Sequence, residues 1–259
     1  MPGQCKTLDD LRCERPSFKR LQTFTVEKHS DSPNEDQSCE SSAGLTNALS
    51  DGASVSFDSG VWAAILARRF AENPAVSRDW IQAAVAEYSA AHDRETMPWM
   101  QQAAFDRGSF ATLLGIELLP DRRSARVFAI GDTILAFIDS GKVVRTIPYV
   151  QPEEFDHSPQ LLSTNPLENR WLDEDAILSA WYDLNISSHD APTLLLMTDA
   201  LGRWFLERPD PARVATLLNI RDEKTFREFV EAERAAGRLR RDDTTLVVIG
   251  VSRELPADH

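Results

Sequence analysis

Two strand-like runs in this chain end directly in an aspartate. Leu45-Thr46-Asn47-Ala48-Leu49-Ser50 delivers Asp51-Gly52, and Thr193-Leu194-Leu195-Leu196-Met197-Thr198 delivers Asp199. A charge at the end of a buried segment is poorly placed for casual solvation; a sheet rim suits a carboxylate that has something to hold. Gly52 follows at once, where the backbone can turn sharply or approach a ligand closely. Glu35-Asp36, Asp132 and Asp242 lie in the same setting, each beside a β-like segment and a turn or helix start. Singly, a strand-end aspartate is most often a turn former or helix cap. Together these acids are expected to converge on divalent metal.

The rest of the chain arranges strands and helices in blocks. Alternation and β-branched runs predict strands over 21–26, 45–50, 111–119, 125–130, 134–138, 143–147, 193–198 and 244–251. Short spacings between the central four read as successive antiparallel hairpins. Apolar spacing predicts helices over 59–71 (Trp62, Leu66, Phe70), 78–91 (capped by Ser77), 98–105, from Asp199 through Leu206, 212–218, and 223–236 with Gly237 as C-cap. Ser56 or Asp58 is the expected cap of the first helix. Segment 37–44 reads as a loop, 151–172 as a long surface excursion, and 176–184 as either strand or helix. The six tryptophans read mostly as packing residues. Residues 1–20 read as a flexible tail and 21–259 as a single domain. Blocks rather than strict alternation give an α+β layout with antiparallel sheets.

Composition bounds the function. Lys+Arg 28 against Asp+Glu 41 gives a net charge of -13. Such a chain repels phosphate backbones, so nucleic acid is not the expected partner; an anionic substrate still fits if bound metal inverts the local field. Cys5, Cys13 and Cys39 offer neither a disulfide framework nor zinc spacing. No apolar run approaches membrane-spanning length. The expectation is a cytoplasmic protein with no membrane partner.

In order and context the motifs resemble the metal-dependent protein phosphatases of type 2C. The carriers are Asn34-Glu35-Asp36, Asp51-Gly52, Gly108-Ser109-Phe110-Ala111-Thr112, Gly131-Asp132-Thr133, the run into Asp199-Ala200-Leu201, and Asp242-Asp243-Thr244-Thr245 before the closing strand. The resemblance implies a four-layer αββα sandwich of two antiparallel sheets flanked by helices. It implies Mg²⁺ or Mn²⁺, two ions with a third, weaker one, which suit oxygen donors. By the family pattern Asp51 bridges two metals; the Gly52 carbonyl, Glu35, Asp199 and Asp242 complete the shells, and Asp132 sits toward the third. Asp36 holds a water of the metal shell. The implied activity is hydrolysis of phosphoserine or phosphothreonine in proteins, with a phosphorylated protein as substrate and a cognate Ser/Thr kinase as partner.

The chain departs from the pattern in places. Many members have Asp-Gly-His-Gly-Gly, whereas Gly52 is followed here by Ala53-Ser54-Val55-Ser56. The histidine general acid is therefore missing, and His29 is the nearest candidate in sequence. The family's phosphate-binding arginine, four residues before the first acid, is Asp31 here, leaving Lys28 or His29 to substitute. Asp-Asn before the last strand is Asp242-Asp243. These losses keep two other readings open: a catalytically silent adaptor for a phosphoprotein or kinase, and a hydrolase of a small phosphorylated metabolite.

Overall fold

Leu194-Leu195-Leu196-Met197 is apolar at every position because both faces of its sheet are covered. In the computed structural model, which describes residues 15–121 and 123–254, Leu194 and Leu196 face a second sheet while Leu195 and Met197 face helices. Val247 and Ile249 alternate with Leu246 and Val248 in the same way, as do Leu135 and Phe137 with Ile134, Ala136 and Ile138. That period of two places one side chain in each of two cores.

The first sheet runs β1 (Arg15–Val26), β12 (Thr244–Glu254), β11 (Pro192–Met197), β7 (Ile134–Asp139), β8 (Lys142–Ile147); the second runs β10 (Trp181–Asn185), β6 (Ser124–Ile130), β5 (Leu113–Leu118), β3 (Thr46–Ser50), β2 (Gln37–Glu40). All pairings are antiparallel. Helices α5 (Asp199–Leu206), α6 (Pro211–Asn219) and α7 (Glu223–Ala235) cover the first sheet. Helices α1 (Ser59–Glu72), α2 (Arg78–Ala90) and α4 (Glu174–Ser179) cover the second. Three apolar layers, helix–sheet, sheet–sheet and sheet–helix, make the expected αββα sandwich. A small ladder of β4 (Phe110–Ala111) with β9 (Leu162–Ser163) lies beside it, and α3 (Trp99–Arg107) packs through Phe105 onto Phe57 and Tyr88.

Several expectations need correction. β1 begins at Arg15, so residues 15–20 of the expected tail are strand; residues 1–14 lie outside the described ones. Segment 37–40 is a strand rather than loop, the outer strand of its sheet, and only one side of it is paired. Segment 176–184 is both things in turn: α4 ends at Ser179 and β10 starts at Trp181. β6 and β7 are not a hairpin, because Gly131-Asp132-Thr133 carries the chain from one sheet to the other. Asp58 is left-handed at the start of α1 and caps nothing with its side chain; its carboxylate meets His92. Trp62, Trp80 and Trp204 are buried, but Trp99 is 77% exposed. No helix among the described residues is long and apolar enough to cross a membrane.

The contact of α1 with the second sheet depends on Gly115. A Cβ there would come within 2.5 Å of three atoms of the Phe70 ring, which stacks on Phe128 beside Trp181. Phe70 is fully buried, so Phe70→Ala is expected to cost about 3–5 kcal/mol, measured by denaturant unfolding. A loss below about 1 kcal/mol is not compatible with this packing.

Candidate metal centre

β3 ends at a zipper that fixes Asp51 through its backbone. Its N–H donates to Thr112 Oγ1 (2.9 Å), and its carbonyl accepts from Thr112 N (2.9 Å). Thr112 Oγ1 in turn meets Thr133 Oγ1 at 2.7 Å, tying the Asp51 strand end to the turn that carries Asp132. Gly52 bridges Ala111, with the ladder bonds made by its neighbours Asp51 and Ala53. Alternation along an antiparallel pair then points the Gly52 N–H and C=O away from that ladder. The carbonyl accepts no backbone hydrogen bond among the described residues. A Cβ at 52 would lie 2.8 Å from Ser59 backbone atoms, so only glycine fits.

The other acids arrive from the first sheet and the loop after β1. Thr198 follows β11 and precedes α5; its Oγ1 donates to Asp36 Oδ2 (3.1 Å) and accepts from Thr245 N (2.9 Å). Thr245 Oγ1 also donates to Asp36 Oδ2, at 2.7 Å. Asp36 Oδ1 is buried and has no hydrogen-bond partner. Asp199 opens α5, where a carboxylate complements the helix dipole. Buried Arg234 of α7 donates to the backbone carbonyls of Asp242 and Glu27, fixing the turn before β12.

The structure brings Asp36, Asp51, Asp132, Asp199 and Asp242 close enough to repel one another. Burial, then the charges of Asp36, Asp199, Asp132 and Asp242, pushes the Asp51 carboxyl well above the usual range. Burial and then Asp243 and Asp199 push Asp36 up to about 8, and burial with Asp132 and Asp242 pushes Asp199 up to about 7. Burial first, then Asp242, raises Asp132. The Glu35 carboxylate accepts from the hydroxyl of Ser59 at the start of α1, the residue whose backbone meets Gly52. His29 is exposed on a turn, and its side chain makes no hydrogen bond to a described residue.

Three features were not legible in the sequence. Asp243 does more than add charge: it is buried, and its two oxygens accept the backbone N–H groups of Lys28 (2.6 Å) and Glu35 (2.7 Å), stapling the ends of the 28–35 loop. Lys28 Nζ lies 3.1 Å from Asp242 Oδ1. The paired threonines on Asp36 come from strand ends whose only advertisement is a Thr beside an Asp.

Among the described residues no three His, Cys, Asp or Glu side chains stand close enough to chelate one ion between them in this arrangement. The chemistry nonetheless suits Mg²⁺ or Mn²⁺: every donor is a hard oxygen, one backbone carbonyl is open, and a buried carboxylate oxygen lacks a partner. Asp51, Gly52, Asp132, Asp199 and Asp242 are the residues that could hold ions, with Asp36 behind them. Lys28 is the competing cation at Asp242.

No family model and no curated protein sequence matches this chain. Solved structures do. The catalytic domain of the serine/threonine protein phosphatase PstP in complex with two manganese ions is similar at 14% identity and a TM-score of 0.60, over 92% of this chain and 99% of that one. Stp1 of Staphylococcus aureus is similar at 15% identity and 0.58, over 89% and 94%. The phosphatase MsPP of Mycobacterium smegmatis, in complex with cacodylate, is similar at 20% identity and 0.54, over 89% and 98%. The chain therefore has the fold of the type 2C serine/threonine phosphatases.

Two outcomes follow from the cluster. Folded Asp36 and Asp199 keep protons up to about pH 8 and 7, whereas the unfolded chain releases them near 3.8. The metal-free fold therefore loses stability as pH rises from about 4 to about 8. Melting with chelator should fall across that window and recover with Mn²⁺; a flat or rising profile contradicts the clustering. Separately, Asp243→Ala should speed amide hydrogen exchange at Lys28 and Glu35 by about tenfold or more, since each loses a charged acceptor. Unchanged protection there shows that the staple does not hold the loop.

Proposed function

We propose that this chain is a metal-dependent phosphomonoester hydrolase acting on phosphoserine or phosphothreonine in proteins. The observation that supports it most directly is the gathering of five aspartates from five separate segments at one rim of a type 2C phosphatase fold. Asp51, the Gly52 carbonyl, Asp199 and Asp242 are the proposed metal donors, with Asp132 toward a further ion and Glu35 contributing from beside Ser59. Bound Mg²⁺ or Mn²⁺ supplies an acidified water and positive charge against the phosphoryl oxygens. Asp36 Oδ1 accepts a hydrogen from a water in the cluster, while Thr198 and Thr245 hold its other oxygen in place. Lys28, released from Asp242, is the proposed contact for the phosphoryl group. The proposed setting is the cytoplasm, opposite a Ser/Thr kinase.

No side chain after Gly52 takes the role of the missing histidine. Val55 is 98% exposed, and Ser56 is committed to Ala53 O and Phe110 N. His92, the imidazole beside that segment, is committed to Asp58 and to the Tyr88 carbonyl, and His29 is exposed on the bend before the acid pair, so the leaving group is left to be protonated by solvent. A missing general acid costs about 10²–10⁴-fold where the leaving group needs a proton. p-Nitrophenolate needs none.

A second reading, the silent adaptor, is favoured by one specific contact: the Lys28 ammonium on Asp242 already neutralises a proposed ligand. Hydrolysis of p-nitrophenyl phosphate with added Mn²⁺ separates the two. The enzyme reading expects turnover that is lost in Asp51→Ala and Asp199→Ala, and a rate on phosphopeptides lower by about 10²-fold or more for want of a general acid. No turnover, together with no Mn²⁺ binding by calorimetry, leaves only the adaptor. A preference for phosphorylated metabolites over phosphopeptides overturns the substrate class.

A further inference from the structure

On the side of the second sheet, helix α2 and the segment 166–172 line a half-open cavity of about 490 Å³. Small-molecule sites have this size. Ile81, Val85 and Leu172 give it an apolar floor, with Ile81 and Leu172 themselves buried. Arg78 lines it from the helix and Arg170 from the facing segment.

Neither of these two arginines has an acid among the described residues to neutralise it. The chain carries a net charge of -13, and twelve of its arginines meet a carboxylate within 4 Å. Among the described residues Arg78 and Arg170 do not, nor do Arg107, Arg123, Arg145, Arg221 and Arg241; of these seven, only Arg78 and Arg170 line this cavity. Arg78 donates only its Nε, to Leu172 O at 3.0 Å, which pins the guanidinium at the rim and leaves its terminal nitrogens for another partner. Asp79 and Glu168, the acids nearest in sequence, pair with neither arginine.

The facing wall is held firmly. Asn169 accepts from Ser163 N (2.9 Å) and donates to Ser163 O (2.7 Å), and Leu172 N donates to Asn169 O (3.0 Å). Ser163 lies in β9, which pairs with β4 beside Gly52. Such a pre-set wall spares a ligand the entropy of ordering it.

We propose that this cavity binds a small amphipathic anion, its head between Arg78 and Arg170 and its apolar body over Ile81, Val85 and Leu172. Planar guanidinium groups take carboxylate and phosphoryl oxygens in pairs, so either head satisfies the charge. The proposal does not rest on the phosphatase reading. The chemistry at the acid rim is of the opposite sign and on other elements.

Calorimetric titration of the whole chain with octanoate, octylphosphonate and octanol tests it. One site per chain is expected for at least one of the two anions, with octanol weaker by about tenfold or more. The tighter anion identifies the head as carboxylate or phosphoryl. Arg170→Ala should weaken the anion by about tenfold. Ala86→Trp, at an exposed position on the cavity wall, should abolish binding by filling the space. No saturable binding of either anion, equal binding of octanol, or wild-type affinity in both variants overturns the proposal.

Discussion

Asp51 sits among four other carboxylates, and the rim around it is arranged to tolerate their mutual repulsion. Like charges in a half-buried setting raise one another's proton affinity or call in cations. Among the described residues the counter-charges are few: Lys28 at Asp242, and Arg240 acting at longer range on Asp132 and Asp199. Backbone and hydroxyl donors do most of the holding. Thr112 fixes Asp51, Thr198 and Thr245 fix Asp36, and Arg234 fixes the Asp242 turn. None of these neutralises a charge, which is the part left to the proposed hard cations.

The sandwich makes that gathering possible. Two sheets buried on both faces end near one another at a common rim, and strand ends from each deliver acids there. β3 brings Asp51, β11 brings Asp199, and the crossing from β6 to β7 brings Asp132. Apolar burial over three layers stabilises what the acids oppose.

Much of this was legible in the sequence, for identifiable reasons. Strands covered on both faces are apolar throughout, as in Leu194–Met197, and amphipathic helices such as the one bearing Trp62, Leu66 and Phe70 show their period openly. The outer strands were not: β2 is Gln-Ser-Cys-Glu, and β1 extends through Arg15–Arg20, where the buried Phe18 sits among polar neighbours. An edge strand with one solvated side needs no apolar alternation. The acids could be picked out because each abuts a turn or helix start. Their supports could not, since Thr198 and Thr245 are 162 and 209 residues from Asp36 and Asp243 is 215 from Lys28. Distant hydrogen bonds leave no local signature.

β1 pairs with β12 alone, register by register from Val26 opposite Thr244 to Arg15 opposite Glu254. Among the described strands the first therefore waits for the last. Until then Asp36 lacks Thr245, and the loop that carries it lacks Asp243. The acid rim therefore cannot be assembled piecemeal: it is complete only after that long-range closure, which such topology makes slow.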